Sequence, residues 1–202
     1  MIFFPFRYSL NIEKQILWIL LAFFLSKKKY ESVLDIGCGR GDNLRMIRFK
    51  KYLGLDIDKK RIYKNSNKYK NPSINFITGD ITNKNHINSN YSLVLLIQVF
   101  TNSFFDDTKI MQALSNTILS SNKYVIFNTS FKNKNNLFEI EKLLLENNFK
   151  FKKIRYGINP YLRKIRIPIL TQLFSLIFLL VILNKSNTIL SDDKVLYICQ
   201  IK

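Results

Sequence analysis

The sequence predicts an α/β fold built as one domain, and three observations predict it. A short apolar run rich in β-branched residues, Val33 to Ile36, leads into glycines at alternate positions, Gly37, Gly39 and Gly41, and then into a helical start at Asp42. Similar short apolar runs recur at 52–55, 74–77, 93–97 and 124–128, with helical patterns at 59–64, 106–119 and 137–145. A length of 202 residues with 47% apolar content is enough for one full core and argues against wholesale disorder.

The glycine stretch carries the chemistry. Glycine is needed where the backbone takes positive φ and where a ligand must come closer than a Cβ allows. The N–H groups at a helix start over Asp42, Leu44 and Ile47 are expected to face that ligand and to favour a carboxylate or phosphate. A dinucleotide fingerprint would set its third glycine at position 42, where Asp42 stands. Asp35, two residues before the first glycine, would serve a pyrophosphate poorly and an ammonium well. S-adenosylmethionine carries a carboxylate, an ammonium and a sulfonium and no phosphate, so its charges suit this loop.

The segment Val-Leu-Asp-Ile-Gly-Cys-Gly-Arg-Gly-Asp at 33–42 resembles the first motif of the class I S-adenosylmethionine-dependent methyltransferases, in their small-molecule branches. The resemblance continues in order through Tyr-Leu-Gly-Leu-Asp-Ile-Asp at 52–58, Ile-Asn-Phe-Ile-Thr-Gly-Asp-Ile at 74–81 and Tyr-Ser-Leu-Val-Leu-Leu-Ile-Gln at 91–98. It implies a Rossmann-like sheet of seven strands, mostly parallel with an antiparallel last strand and helices on both faces. It also implies S-adenosyl-L-methionine as cofactor, held outside the carboxyl ends of strands one to four, with no metal. Carried over residue by residue, the cofactor-binding set is Asp35, Gly37, Cys38, Gly39, Gly41, Asp56, Ile57, Asp80, Ile81 and Gln98.

Along the chain, Met1 to Tyr8 is aromatic and carries Pro5, and Leu10 to Leu25 reads as a helix ending at Ser26 and the following lysines. Its apolar run from Ile16 has the length of a signal-peptide hydrophobic region. Glu13 and Lys14 precede that run, no small-x-small cleavage site follows it, and a core strand begins soon after, so export is not expected. The run is too short to span a bilayer. It is read as a helix on the sheet or over the cofactor, making 1–31 a helical extension of a catalytic domain at 32–202.

Asp56 ends the second strand. In the resemblance it accepts from both ribose hydroxyls, a task for an acceptor-only carboxylate. Read from the residues alone it could also cap a helix from Lys59, and Asp58 could do the same. Asn71-Pro72-Ser73 is a turn into the third strand, after which Asp80 and the Ile81 N–H are implied to meet adenine. At the end of the fourth strand, Gln98 and Asn102 are candidates for orienting an acceptor, although neither is a base. His86, the only histidine, sits in a polar loop and reads as a surface residue. The Asn-Pro-Pro-Tyr type of tetrapeptide and a Pro-Cys nucleophile, marks of base methylation, are both missing. Strands at 149–158 and 195–201 complete the set.

Between those last two strands, Ile167 to Leu183 is uncharged, inside an apolar insert at 160–190. If its flanking strands pair, both ends leave the same edge and a single straight span is excluded. A membrane-surface contact through 161–185, helped by Arg163, Lys164 and Arg166, stands beside a lid or dimer surface as the open readings. The net charge of +18 invites nucleic acid or an anionic membrane, but it is mostly Lys scattered among Asn. Cys38 and Cys199 lie far apart in the chain and read as small buried residues of a reducing compartment. The expected function is methyl transfer to oxygen or carbon of a small or lipid-linked acceptor such as a lipid, quinone or sugar precursor. The expected place is the cytoplasm, peripheral to the inner face of the membrane. The alternatives are an RNA methyltransferase and a cofactor-binding partner protein without activity.

Overall fold

The computed structural model describes residues 11–83, 87, 90–100, 106–129, 134–158, 177 and 190–202. His86, Asn102 and, apart from Ile177, the insert from 160 to 189 lie outside them. One sheet of seven strands organises the chain. The strands are β1 (Lys29–Ile36), β2 (Arg48–Asp56), β3 (Ile74–Thr78), β4 (Tyr91–Leu96), β5 (Ser121–Thr129), β6 (Phe149–Ile158) and β7 (Leu190–Ile201). Their order across the sheet is β3-β2-β1-β4-β5-β7-β6. β1 to β5 pair in parallel, and β7 runs antiparallel to both β5 and β6. The α/β sheet with an antiparallel last strand is therefore as expected. The order in which strands are added reverses at β1, with β2 on one side and β4 on the other, which places a crevice at the carboxyl ends of those strands.

The link from β1 to β2 departs from expectation. Instead of a helix through Ile47, Asp42–Met46 form a single 3-10 turn, and β2 begins at Arg48. β2 pairs with β1 from Lys29↔Arg48 and Tyr30↔Phe49 onward, so the strand reaches back to Arg48 and leaves no length for an α-helix. A parallel pair usually needs a crossover helix to cover its face. Here the cover comes from α1 (Ile12–Leu25), capped by Asn11, whose side chain accepts from the Lys14 N–H at 3.0 Å. Ile16, Leu17 and Leu21 recur at helical spacing and are fully buried against Val33, Tyr52, Leu93, Leu95 and Ile126. Of the two placements expected for this helix, the structure takes the one on the sheet.

The other face is covered by α3 (Asp107–Leu119) and α4 (Lys134–Glu146), which pack Ile110, Leu114, Ile140 and Leu144 onto Leu34, Val94, Val125 and Phe127. Val33 faces α1 while Leu34 and Ile36 face α3 and α4, the alternation of a strand buried on both sides. α2 (Lys59–Lys68) runs beside β2 and β3, capped by Asp58, which accepts from the N–H groups of Lys60 and Arg61. Cys38 and Cys199 are buried free thiols, as read from the sequence.

Because α1 replaces the missing crossover helix, truncating its buried face should act as a core lesion. Leu17→Ala is expected to cost about 2 to 5 kcal/mol of unfolding free energy, measured by urea denaturation. A loss within the range of surface substitutions would show that α1 is dispensable to the core.

Candidate functional site

The carboxyl ends of β1, β2 and β3 are stitched into one loop cluster. Gly37, Gly39 and Gly41 all take positive φ, +65°, +55° and +73°. A side chain at Gly37 would lie 2.4 Å from Val99, just past β4. At Gly39 a Cβ would meet nothing nearer than the Gly37 carbonyl at 3.9 Å, so the loop faces open space there. The Asp56 carboxylate holds the cluster: Oδ2 accepts from the Gly39 N–H at 2.8 Å and Oδ1 from the Asp58 N–H at 2.9 Å. Cys38 N–H donates to the Leu55 carbonyl at 3.0 Å, and Gly79 N–H to the Asp56 carbonyl at 3.1 Å. α2 braces the loop from outside, with Asn65 Nδ2 donating to the Gly39 carbonyl at 2.9 Å.

One expectation about this loop changes. The amides expected to face a ligand are partly engaged within the loop: Gly39 N–H by Asp56, Gly41 N–H by the Cys38 carbonyl at 2.8 Å, and Leu44 N–H by the Gly41 carbonyl. A 3-10 turn of five residues also lacks the aligned dipole of a helix start. Of the two acids that could cap α2, Asp58 does so, which leaves Asp56 to the loop.

Asp35 is fully buried at the end of β1, facing the α1 side. Its carboxylate accepts from Tyr52 Oη at 2.5 Å and from Asn43 Nδ2 at 2.8 Å. Burial pushes its pKa up to about 7, against the two hydrogen bonds, which pull it down. Beside it, Asn43 Oδ1 is buried without a hydrogen-bond partner. Ile57, next to Asp56, is 72% exposed at the rim, an apolar side chain held in the open beside a carboxylate. After β3, Asp80 accepts from the Thr82 N–H and hydroxyl at 2.9 and 2.8 Å. The Ile81 side chain is buried, and its carbonyl accepts from Asn116 of α3 at 2.7 Å.

Gln98 is exposed with φ +59°, a left-handed residue at the end of β4, and its N–H donates to Asn128 Oδ1 at 2.6 Å. Asn128 in turn donates to Tyr156 Oη at 2.8 Å. Gln98, Phe100, Asn128 and Tyr156 line a pocket of about 370 Å³ together with the start of α1 and with Lys194, which pairs with the nearly buried Glu13. The structure thus brings the glycine loop, Asp56 and the Gly79–Ile81 turn together, and sets Gln98 beside a second, polar pocket. Sequence reasoning missed Asn43, Tyr52, Asn65, Asn128 and Tyr156. Each is an ordinary polar residue in its own segment, and only the Asn and Tyr types at strand and helix ends hinted at hydrogen-bonding roles.

A family model described as a methyltransferase domain matches residues 33–118. Over those residues the chain is similar to a methyltransferase domain, in line with its resemblance to the class I S-adenosylmethionine-dependent methyltransferases. Solved methyltransferases share its fold at low identity. Magnesium protoporphyrin IX methyltransferase from Synechocystis PCC 6803 is 13% identical with a TM-score of 0.58, over 95% of this chain and 78% of that one. The N-methyltransferase NodS from Bradyrhizobium japonicum WM9 is 13% identical with a TM-score of 0.57, over 93% and 92%. A Pyrococcus horikoshii protein described as an RNA methyltransferase is 16% identical with a TM-score of 0.54, over 94% and 82%. Among curated proteins none matches the sequence.

The glycine-loop residues fit S-adenosylmethionine chemically. The unpartnered Asn43 carbonyl beside Asp35 offers acceptor capacity where a cationic ligand group would need it, and the open space over Gly39 is one that any side chain would fill.

Asp35 also gives the protein a pH signature. Its carboxyl rises from an ordinary 3.8 to about 7 in the folded protein. The native state therefore binds the extra proton between those values, and its stabilising contribution, full below pH 4, is lost as pH rises through 7. Asp35→Asn stays neutral throughout. Relative to that variant, the native protein is expected to lose stability between pH 4 and pH 8 in urea titrations. Parallel profiles for the two proteins would exclude a raised Asp35.

Proposed function

We propose that this methyltransferase acts on an oxygen or carbon of a small or lipid-linked acceptor, in the class of lipids, quinones or sugar precursors. The observation that carries the reading is the polar pocket beside Gln98, at the same edge of the sheet as the glycine loop and of small-molecule size. Bound S-adenosylmethionine supplies a methyl group already activated by its sulfonium. Asp56 would accept from the ribose hydroxyls, keeping lone pairs beyond those taken by Gly39 and Asp58. Asp80 and the Ile81 N–H would meet adenine, and Ile57 would pack on it. Gly37, Cys38, Gly39 and Gly41 would let the backbone approach the amino-acid end. Asp35 would act there chiefly through Asn43 and Tyr52, since its own oxygens are enclosed.

Gln98 would orient the acceptor, held in its left-handed conformation by Asn128, and Asn102 is the second candidate. Alignment of acceptor and methyl group can supply most of the acceleration. No general base is assigned. The catalytic unit is read as 32–202 with the apolar insert at 160–190, and the extension 1–31 works with it because α1 forms part of its core.

The lipid-linked part of this reading draws on the insert. Its flanking strands pair at Ile158 and Leu190, so both ends leave the sheet at the carboxyl edge of β4 and β5, where the pocket lies. No described helix is long and apolar enough to cross a membrane. A cytoplasmic enzyme touching the inner membrane face through 161–185 accommodates both facts. RNA is the second reading, favoured by the charge of +18 and by one structural neighbour described as an RNA methyltransferase. An inactive partner protein would keep cofactor binding and show no turnover on any acceptor.

Asp56→Ala is expected to weaken S-adenosylmethionine by about 1.5 to 3 kcal/mol in calorimetry, and Gly39→Val to abolish binding. Unchanged affinity in a folded Asp56 variant would remove the ribose assignment. Tracing a methyl-labelled cofactor into lipid and RNA fractions of cells with and without the protein discriminates the acceptors. Label confined to RNA would overturn the lipid-linked reading. Co-sedimentation with anionic vesicles is expected to weaken with salt and to be lost when Phe174, Ile177 and Phe178 become Ser. A protein that stays in the supernatant with every vesicle composition has no such contact.

A further inference from the structure

At the opposite edge of the sheet, away from the glycine loop, a groove of about 360 Å³ opens between the end of α1 and the starts of β1, β5 and β6. Lys27, Lys28, Lys150 and Lys152 line it over walls that include Tyr30 and Tyr124, and among the described residues no acidic one takes part. Lys150 and Lys152 are two apart on β6, so both project from the α1 side of the sheet. The neighbouring ion pairs use other lysines, Lys50 with Glu31 and Lys153 with Glu141.

The ammonium groups are held over rings. Lys27 Nζ lies 3.6 Å from the centre of Phe23, Lys28 Nζ 4.6 Å from that of Tyr124, and Lys152 Nζ 5.9 Å from that of Phe24. Lys28 also donates to Tyr124 Oη at 2.7 Å. Such contacts organise the lysine heads without neutralising them. The result is a concave row of cations with no counter-ion among the described lining residues, more charge than one phosphate can use. A bilayer is the poorer fit, because the exposed ring that could insert, Phe23, is already capped by Lys27.

We propose that this groove binds the phosphodiester backbone of single-stranded RNA, at a site separate from the methyl-transfer pocket. Phosphates lie along the lysines, and their neutralisation releases cations condensed on the strand. The site goes beyond the acceptor reading and stands whichever acceptor is methylated.

Fluorescence anisotropy with a labelled single-stranded RNA of twelve uridines tests it across a potassium chloride series. Binding is expected to weaken with salt. Lys150→Gln with Lys152→Gln should reduce affinity by at least about tenfold at low salt and flatten the log–log salt slope by about 1.4, two phosphate contacts at about 0.7 each on a single strand. The exposed pair Lys59→Gln with Lys60→Gln on α2 serves as control and should leave both unchanged. Calorimetry with S-adenosylmethionine should be the same for the groove variant and the native protein, which separates failure of the groove from failure of the cofactor site. The proposal is overturned if RNA does not bind, if the two pairs weaken binding equally, or if anionic vesicles bind through Lys150 and Lys152 while RNA does not.

Discussion

The constraint on which the structure depends is the short link between β1 and β2. Residues 37–47 must turn the chain through the glycine loop and return it to a parallel strand, and they do so with one 3-10 turn. Without a crossover helix, the face of the sheet carrying Val33, Leu93, Leu95 and Ile126 would be left to water. α1 removes that cost. The helix that precedes β1 in the chain therefore plays the part elsewhere taken by a helix following it, and the polar pocket inherits its first turn, with Glu13 joined to Lys194 of β7. Separating that pair would strand a charge in a nearly buried place, so the start of α1 is tied to the sheet by charge as well as by apolar contact.

The same short link shapes the loop chemistry. With few residues to spare, the loop satisfies several of its own amides and rests on side chains from outside it: Asp56 on Gly39 N–H, Asn65 on the Gly39 carbonyl, and Asn43 and Tyr52 on Asp35. A buried carboxylate among neutral donors is costly when charged. Asp35 tolerates its place by holding its proton nearer to neutrality. Gly54 contributes through space alone, since a side chain there would lie 2.6 Å from Phe76 and 2.9 Å from the Cys38 thiol.

The two edges of the sheet are chemically distinct. Carboxylates gather at the carboxyl edge, with Asp35, Asp56 and Asp80, whereas the groove at the amino edge is lined by lysines and aromatic rings. The net charge of +18, which looked scattered along the chain, therefore has a concentrated component that only the return of β6 beside α1 reveals.

The sequence by itself determined the glycine loop, the acids ending the second and third strands, the position of β6 and the buried state of both cysteines. These are local matters: positive φ favours glycine, an apolar run ended by an acid marks a buried strand, and alternation marks a paired one. Tertiary structure decided the rest. Whether 42–47 forms a helix depended on where β2 began, and the role of Asp58 as the cap of α2 depended on where that helix began. That Tyr52 and Asn43 enclose Asp35, and that Asn128 holds Gln98, followed from strand register and order, because hydrogen bonds between segments tens of residues apart leave no periodic trace in the sequence.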